Sequence, residues 1–166
     1  MLHDPLHGWA TIRIGDFEDV CSYIQDIPVH IWQALNNAID TWDASCVSID
    51  AEGYQYIIVF DLYATHIIMD AEDGDGFALK SFQTDILDLA REFIADIRRD
   101  LPLWAEWENC GDMTQEQIET HKRELIALCG LLEGKISNAE TLRNAETDRE
   151  EQIPSDDQQD QEAAHR

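Results

Sequence analysis

Four short runs of β-favouring residues, set between two helical patterns, constrain the fold of this chain more than any other feature. The runs cover residues 46–50, 54–60, 65–69 and 77–79. Short loops separate them, and loops of this length join neighbouring antiparallel strands. The pattern therefore predicts an antiparallel meander. The second run is continuously apolar from Ile57 to Phe60, which predicts a central strand covered on both faces.

The segment before this meander predicts one more strand and a helix. Residues 9–14 alternate between apolar and polar side chains, as a half-buried strand does. Residues 16–26 are acidic, and we expect a loop or a short helix there. Asp26 suits an N-cap and Pro28 suits a first helical turn, so they predict the start of a helix over 28–41.

Two further helices are expected after the meander. Apolar residues recur at helical spacing from 81 or 84 to 99, and Arg98 and Arg99 fall in the last turn, where they suit the helix dipole. Thr114 and Gln117 match a capping box. That box predicts a third helix, which we expect to end near Gly134.

Together these patterns predict an α+β fold. An antiparallel β-sheet of about four or five strands is packed by the first two amphipathic helices. We expect an α+β core domain over residues 1–110 and a C-terminal helix docked on it over 111–136. Residues 137–166 are nearly devoid of large apolar side chains and predict a disordered acidic tail, because such a segment buries too little surface to offset chain entropy.

The charge of the chain is strongly one-sided. It has 35 acidic residues against 11 Lys and Arg, a net charge of −24. The imbalance is sharpest in residues 1–79, which contain 14 acids and a single basic residue, Arg13. Such charge repels nucleic acid and anionic membranes and attracts basic surfaces. Two interpretations stay open, namely general acidity as in a halophilic or very soluble protein, and a surface shaped for a cationic partner.

Cysteine usage and hydropathy point to the cytoplasm. The four cysteines, Cys21, Cys46, Cys110 and Cys129, form no CxxC pair and are too few for a disulfide scaffold in a chain of this length. The first residues have neither a basic nor an apolar signal region, and no apolar run is long enough to span a membrane. We expect a cytoplasmic protein with free thiols, monomeric by default, and no membrane partner.

Motifs for catalysis, cofactors and metals are missing from the sequence. The segment 70–76 is similar to a calcium loop, but Gly74, Asp75 and Ser81 stand at loop positions 5, 6 and 12, so the register fails. The six histidines lack the convergent spacing of a zinc site. No GxSxG, P-loop or GxGxxG motif occurs. We therefore expect a non-enzymatic protein without a cofactor or metal.

Four local features together resemble a class of bacterial proteins. They are the Gly8-Trp9 strand start, the Ser-Tyr-Ile-Gln-Asp-Ile-Pro segment from Ser22 to Pro28, the turn from Asp50 to Tyr54, and the Trp-x-x-Trp pair ending at Trp107. The order is similar to that of small acidic immunity proteins of polymorphic or contact-dependent toxin systems. The resemblance covers residues 8–108 and implies a stoichiometric inhibitor that blocks a toxin's active site.

Two functions are consistent with these observations. The first is an immunity protein that neutralises a nuclease-like toxin domain, whose basic cleft would attract an acidic inhibitor. The second is a phage-type DNA mimic that inhibits a CRISPR, restriction or other DNA-binding defence protein; an acidic chaperone or adaptor stays open as a third. The predicted partner-binding residues are two acidic clusters: Asp16, Glu18 and Asp19, and Asp70, Glu72, Asp73 and Asp75.

Overall fold

A computed structural model describes residues 1–71, 76–107 and 113–151, with side chains up to residue 145. It shows an α+β protein with two antiparallel sheets of three and four strands. The chain divides into two compact units, Met1–Ile136 and Ser137–Arg166. Both sheets belong to the first unit.

The first sheet is a meander of three strands, β1 (Leu2–Leu6), β2 (Trp9–Ile14) and β3 (Phe17–Ser22). The predicted strand over 9–14 is confirmed as β2. The interpretation of 16–26 as a loop or short helix is wrong for residues 17–22, because β3 pairs with β2 in continuous register from Ile14↔Phe17 to Trp9↔Ser22; residues 23–26 form a turn. Gly15 closes the hairpin with a φ of 60° and lies against the ring of Phe82.

Strand β1 was not predicted from the sequence. Its Leu2 is fully buried and pairs with Ile12 of β2. The pairing register shifts between His3 and Leu6, and Asp4 between them has a φ of 53°. This bulge interrupts the alternation of side chains that would reveal a strand in the sequence.

Helix α1 (Ile27–Thr41) follows the first sheet and starts where the sequence indicated. The Asp26 carboxylate accepts a hydrogen bond from the Val29 N–H at 3.2 Å, and Pro28 occupies the first turn. Its buried face contacts strands of the second sheet.

The second sheet confirms the predicted meander. Its strands are β4 (Ser45–Asp50), β5 (Gln55–Phe60), β6 (Ala64–Asp70) and β7 (Phe77–Gln83), hydrogen-bonded in that order. The expectation of one sheet with four or five strands is corrected to two sheets. In chain order, helix α1 lies between the last strand of the first sheet, β3, and the first strand of the second, β4.

Within residues 1–71, 76–107 and 113–151 only one face of the second sheet is covered, so the prediction of a central strand buried on both faces is wrong. We call the buried side the inner face; it includes Tyr56, Ile58 and Phe60 of β5. The β2–β3 hairpin packs against it, since Phe17 meets Tyr56 edge-on at 5.4 Å between ring centroids. The other side, the outer face, leaves Ile57 38% exposed. On this face Ile57 of β5 lies opposite Ile68 of β6, which in turn pairs with Leu79 of β7.

Helices α2 (Ile86–Arg99) and α3 (Leu101–Ala105) complete the centre of the chain. Asp85 caps α2 by accepting hydrogen bonds from the N–H groups of Leu87 and Asp88. The helix begins later than residue 81 or 84, because β7 extends to Gln83. In α3, Trp104 is fully buried and lies 5.0 Å from the ring of Trp107.

Helix α4 (Gln115–Glu151) starts at the predicted capping box, where the Gln117 N–H donates to the Thr114 hydroxyl at 3.3 Å. Its predicted end near Gly134 is wrong. An exposed glycine in a helix costs only about 1 kcal/mol, and Ala, Glu, Arg and Leu after it favour helix. Residues 137–151 are therefore helical where a disordered tail was expected. The remainder of that expected tail, 152–166, lies outside the described residues.

Polar contacts within the first unit fasten α4 to the rest of it. The Trp32 indole donates to the Leu128 carbonyl at 2.8 Å. Arg98 and Glu133 form a two-pronged ion pair at 2.6 and 2.8 Å. The part of α4 that belongs to the first unit is thus held against both α1 and α2.

Candidate protein-binding site

One end of the second sheet gathers carboxylates from separate turns. Asp50 closes β4 and pairs with Gln55, which begins β5. Met69 pairs with Tyr56, so Asp70 follows at the same end. Glu52 lies exposed in the turn between β4 and β5.

A hydrogen bond between the two sheets adds a fourth carboxylate to this end. The Tyr54 hydroxyl donates to a carboxylate oxygen of Asp19, and the Tyr56 hydroxyl donates to the Val20 carbonyl at 3.0 Å. Strand β3 is thereby held beside the start of β5. We name this group, defined by Asp19, Asp50, Glu52 and Asp70, the acidic end.

The Tyr54 phenol keeps its proton well above neutral pH. Partial burial, the hydrogen bond to Asp19 and the negative charge of Asp19 together raise the pKa of Tyr54 to about 12. Tyr54 is therefore a fixed donor that orients Asp19. The Asp50 carboxylate is also oriented, because it accepts the Glu52 N–H at 2.8 Å and the Gln55 side-chain amide at 3.3 Å.

The structure separates the predicted acids of the first cluster. Asp16 lies exposed in the β2–β3 turn, Glu18 forms an ion pair with Arg13 at 2.7 Å, and Asp19 belongs to the acidic end. From the second cluster Asp70 also belongs to the acidic end. Glu72, Asp73 and Asp75 lie outside the described residues.

Sequence reasoning missed Asp50 and Glu52 as site residues. The signal that marks them is the meander itself, because its antiparallel order places the β4–β5 turn at the same end as the end of β6. The predicted strand order, combined with the positions of the acids, would have been sufficient to group Asp50 and Glu52 with Asp70.

Several acids of the helices form ion pairs, and within the described ranges the acids of the acidic end do not. In the helices, basic side chains pair with acids: Arg91 meets Asp88 at 2.6 Å, and Lys135 contacts Asp40. The four carboxylates of the acidic end have no ion-pair partner within the described part of the chain. Four carboxylates without an ion-pair partner in the described part of the chain therefore lie together at one end of the second sheet.

An apolar row crosses the outer face beside the acidic end. The strand register places Ile57, Ile68 and Leu79 directly opposite one another. Leu79 is 65% exposed, and Phe77 on the same strand is 79% exposed. On the four described strands the outer face has no Lys or Arg side chain. Apolar area bordered by one sign of charge is the composition of a protein-binding surface.

The described residues include two buried cysteines with raised pKa values and no cluster of side chains suited to bind a metal ion. Burial raises the pKa of Cys21 to about 12, and that of Cys129 is raised for the same reason, so neither thiol is an activated nucleophile. No group of three or more His, Cys, Asp and Glu residues suited to a metal ion occurs in the ranges 1–71, 76–107 and 113–151.

Comparison with protein-family models, curated proteins and solved structures gives no match. Any functional conclusion therefore depends on the geometry and charge of this chain's own residues. Among the helices in the described ranges, none combines the length and the apolar character needed to cross a bilayer.

Proposed function

We propose that this protein is a non-enzymatic acidic inhibitor that binds and blocks a basic protein in the cytoplasm. The partner that best fits is a toxin domain with a nuclease-like basic cleft, which would make this chain an immunity protein. The observation that carries the proposal is the acidic end, whose uncompensated carboxylates border the exposed apolar row of the outer face.

Each half of this surface contributes a different part of binding. Exposed side chains such as Phe77 and Leu79 supply apolar area whose burial stabilises a complex. The carboxylates steer a cationic partner and raise its association rate, an effect that weakens as salt increases. Steering of this kind also speeds the binding of the acidic inhibitor barstar to the ribonuclease barnase.

A phage-type DNA mimic is the alternative function. Mimicry needs carboxylates spaced like phosphates along a duplex, which carries one charge per about 1.7 Å of axis. On the outer face Asp50 and Asp70 are separated by the uncharged Gln55 on β5, and the adjacent row is apolar. We favour the immunity function because an apolar row serves a protein interface and has no counterpart in the phosphate backbone.

Co-expression with the product of the neighbouring gene tests the proposal. If that product is a toxin, we expect this chain to restore growth and to form a one-to-one complex that weakens as salt increases. A failure to restore growth, or no complex with the toxin, would contradict the immunity function. A complex with a DNA-binding defence protein, competed by duplex DNA, would instead support the DNA mimic.

A further inference from the structure

Strand β7 forms a free edge of the second sheet. It pairs with β6 through seven consecutive residue pairs, from Asp70↔Phe77 to Ala64↔Gln83, without a bulge. Within the described ranges no strand pairs with its other side. A flat edge of this length presents a row of unpaired backbone donors and acceptors.

The backbone groups that face this open side can be assigned from the flanking hydrogen bonds. The Ala71 N–H donates to the Gly76 carbonyl and the Thr84 N–H donates to the Tyr63 carbonyl, both at 3.1 Å. Bonded and non-bonded pairs alternate along antiparallel strands. The N–H and C=O groups of the odd-numbered residues therefore point away from β6: Phe77, Leu79, Ser81 and Gln83.

β7 lacks two of the usual protections of an edge strand, a proline and a bulge. Its single charged residue, Lys80, is exposed on the inner side in the middle of the strand, with its ammonium 5.8 Å from the centre of the Phe17 ring. A lysine on an edge opposes pairing with a strand that places a positive charge beside it, so Lys80 restricts which strands can dock. The two most exposed apolar side chains of the strand, Phe77 and Leu79, stand on the outer face beside the open edge.

We propose that β7 is the docking edge for an extended, basic segment of the protein partner, which adds a fifth strand to the sheet. Strand addition of this kind gains affinity from main-chain hydrogen bonds and specificity from alternate side chains. This inference rests on the proposed function and names the binding mode for that function. It requires Leu79 and Ser81 to accept and donate backbone hydrogen bonds with the partner.

The charges on the two sides of β7 specify the composition of the segment. On the outer side, Phe77 and Leu79 would meet apolar side chains of the added strand. On the inner side, the β2–β3 turn with exposed Asp16 approaches β7, because Gly15 lies against the Phe82 ring. Asp70 lies at one end of the edge. A segment with apolar residues on the outer side, Lys or Arg near its two ends and an uncharged residue beside Lys80 therefore complements the edge.

A second copy of this chain complements the edge less well. Two copies would each bring a net charge of −24, and like charges at an interface oppose association. The occupant that fits is a cationic strand from a different protein.

Amide hydrogen exchange with a defined peptide tests the docking edge. The probe is a nine-residue peptide that alternates Val with polar residues, with Lys near both ends and Gln in the middle, and its control is the same peptide with N-methyl groups on the bonds that would face β7. In the free protein, we expect fast exchange at Leu79 and Ser81 and slow exchange at Lys80 and Phe82. The unmodified peptide should slow exchange at Leu79 and Ser81 by about tenfold or more, and the methylated peptide should not.

Two substitutions at one position give a matched comparison in the protein. Leu79→Ala removes the apolar side chain and leaves the edge intact. Leu79→Pro also removes the outward N–H, without breaking a bond to β6, since that group points away from it. We expect Leu79→Pro to weaken peptide binding by about tenfold more than Leu79→Ala. If Leu79→Pro fails to fold, the methylated peptide still decides the question.

Three outcomes would overturn the docking edge. Peptide binding without protection of Leu79 and Ser81 places the binding elsewhere, and so does equal binding of the methylated peptide. The absence of any binding also refutes it. Protection of both amides in the peptide-free protein, together with a dimer mass in light scattering, assigns the edge to a second copy. Rescue in the co-expression assay despite any of these results leaves the proposed function standing without this binding mode.

Discussion

The Tyr54 phenol donates its hydrogen bond to Asp19 across the boundary between the two sheets. This contact places a carboxylate from the first sheet at the end of the second, 35 residues away in sequence. Asp19 faces the second sheet from the β2–β3 hairpin, and the Tyr54 hydroxyl supplies its carboxylate with a hydrogen-bond donor. The contact is therefore both a structural link and a part of the proposed binding surface.

Removing the hydrogen bond between Tyr54 and Asp19 should lower stability only slightly, and removing the Asp19 charge should lower the pKa of Tyr54. Tyr54→Phe is expected to lower the free energy of unfolding by about 1 kcal/mol. The raised pKa of Tyr54, about 12, stabilises the fold fully below the ordinary tyrosine pKa, and this contribution is lost as the pH rises through 12. Asp19→Asn should shift the alkaline ultraviolet titration of Tyr54 to lower pH. An unchanged titration in Asp19→Asn would show that Asp19 does not contribute to the raised pKa of Tyr54.

Reversing charge at the acidic end should slow partner association. We expect Asp50→Lys with Asp70→Lys to lower the association rate by about tenfold at low salt, with a smaller effect at high salt. Asp43→Lys is the control, because Asp43 precedes β4 at the opposite end of the sheet, about 20 Å from Asp50 along the strand. Stopped-flow measurement with the partner checks the rates. Equal slowing by the control would indicate general charge attraction instead of a site.

The Asp96 carboxylate should be the most sensitive acid for stability. It is buried and accepts hydrogen bonds from the Met1 amino group and the Leu2 N–H, both at 2.8 Å, and from Arg99. Asp96→Asn is expected to cost about 3–5 kcal/mol, because it leaves buried partners uncompensated. The exposed Asp88, paired with Arg91, is the control, and Asp88→Asn should cost about 0–1 kcal/mol. Urea unfolding measures both.

Asp96 also predicts a dependence of stability on pH. Burial raises its pKa, but the hydrogen bonds from the Met1 amino group, Leu2 and Arg99 outweigh burial and lower it below its usual value. The stabilisation is therefore present above the unfolded-state pKa of about 3.9 and is lost as the pH falls through the lower folded-state pKa. In Asp96→Asn, this part of the acid destabilisation should disappear. An identical acid profile in the variant would contradict the role of Asp96.

Substitutions of Asp26 can separate its role as the cap of α1 from its contact with His121. Its carboxylate caps the helix through Val29 and lies 3.3 Å from Nε2 of the buried His121, whose Nδ1–H donates to the Ala105 carbonyl at 3.1 Å. Asp26→Asn keeps a good cap, so its cost in urea unfolding reports the contact with His121. Asp26→Ala should cost about 1 kcal/mol more. Equal costs for the two variants would show that the cap contributes nothing.

Thiol reactivity should distinguish the outer face from the core. In a Cys110→Ser background, the exposed Cys46 should react with iodoacetamide at least about a hundredfold faster than buried Cys21 and Cys129. Cys21 should react only after unfolding, because burial raises its pKa to about 12. Peptide mapping by mass spectrometry identifies the modified residue. Early modification of Cys21 would show that the first sheet opens in the native state.

Elements with a regular period were predictable from the sequence, whereas β3 was not. Along β3, Phe17 and Cys21 point inward and are buried. Asp19 shares their side and is only half-buried, while Val20 points outward and is 37% exposed. The polar Asp19 thus stands on the inward side and the apolar Val20 on the outward side. The sequence of β3 therefore lacks the alternation of apolar and polar residues that marks a half-buried strand. The inward acid is stable because Tyr54 supplies a donor, and a single-strand pattern carries no information about that donor.

The candidate site was predictable in its chemistry but only partly in its membership. The excess of acids in the first 79 residues predicted an acidic binding surface in that part of the chain. Counting could not show that Arg13 neutralises Glu18 while Asp50 and Glu52 stay uncompensated in the described part of the chain, because compensation depends on side-chain geometry. The same limit explains the error on β5, where an apolar run reports hydrophobicity but not whether a layer covers it.

The division of the second sheet into a covered face and an open face separates two kinds of constraint on the sequence. The side chains at even-numbered positions of β5, such as Tyr56 and Ile58, fill the interior, so a substitution there lowers the stability of the fold. Odd-numbered positions of β7, such as Phe77 and Leu79, contribute little to the interior. The outward side chains of β7 could therefore change between related sequences and alter which partner is bound, while the pairing of β7 with β6 stays the same.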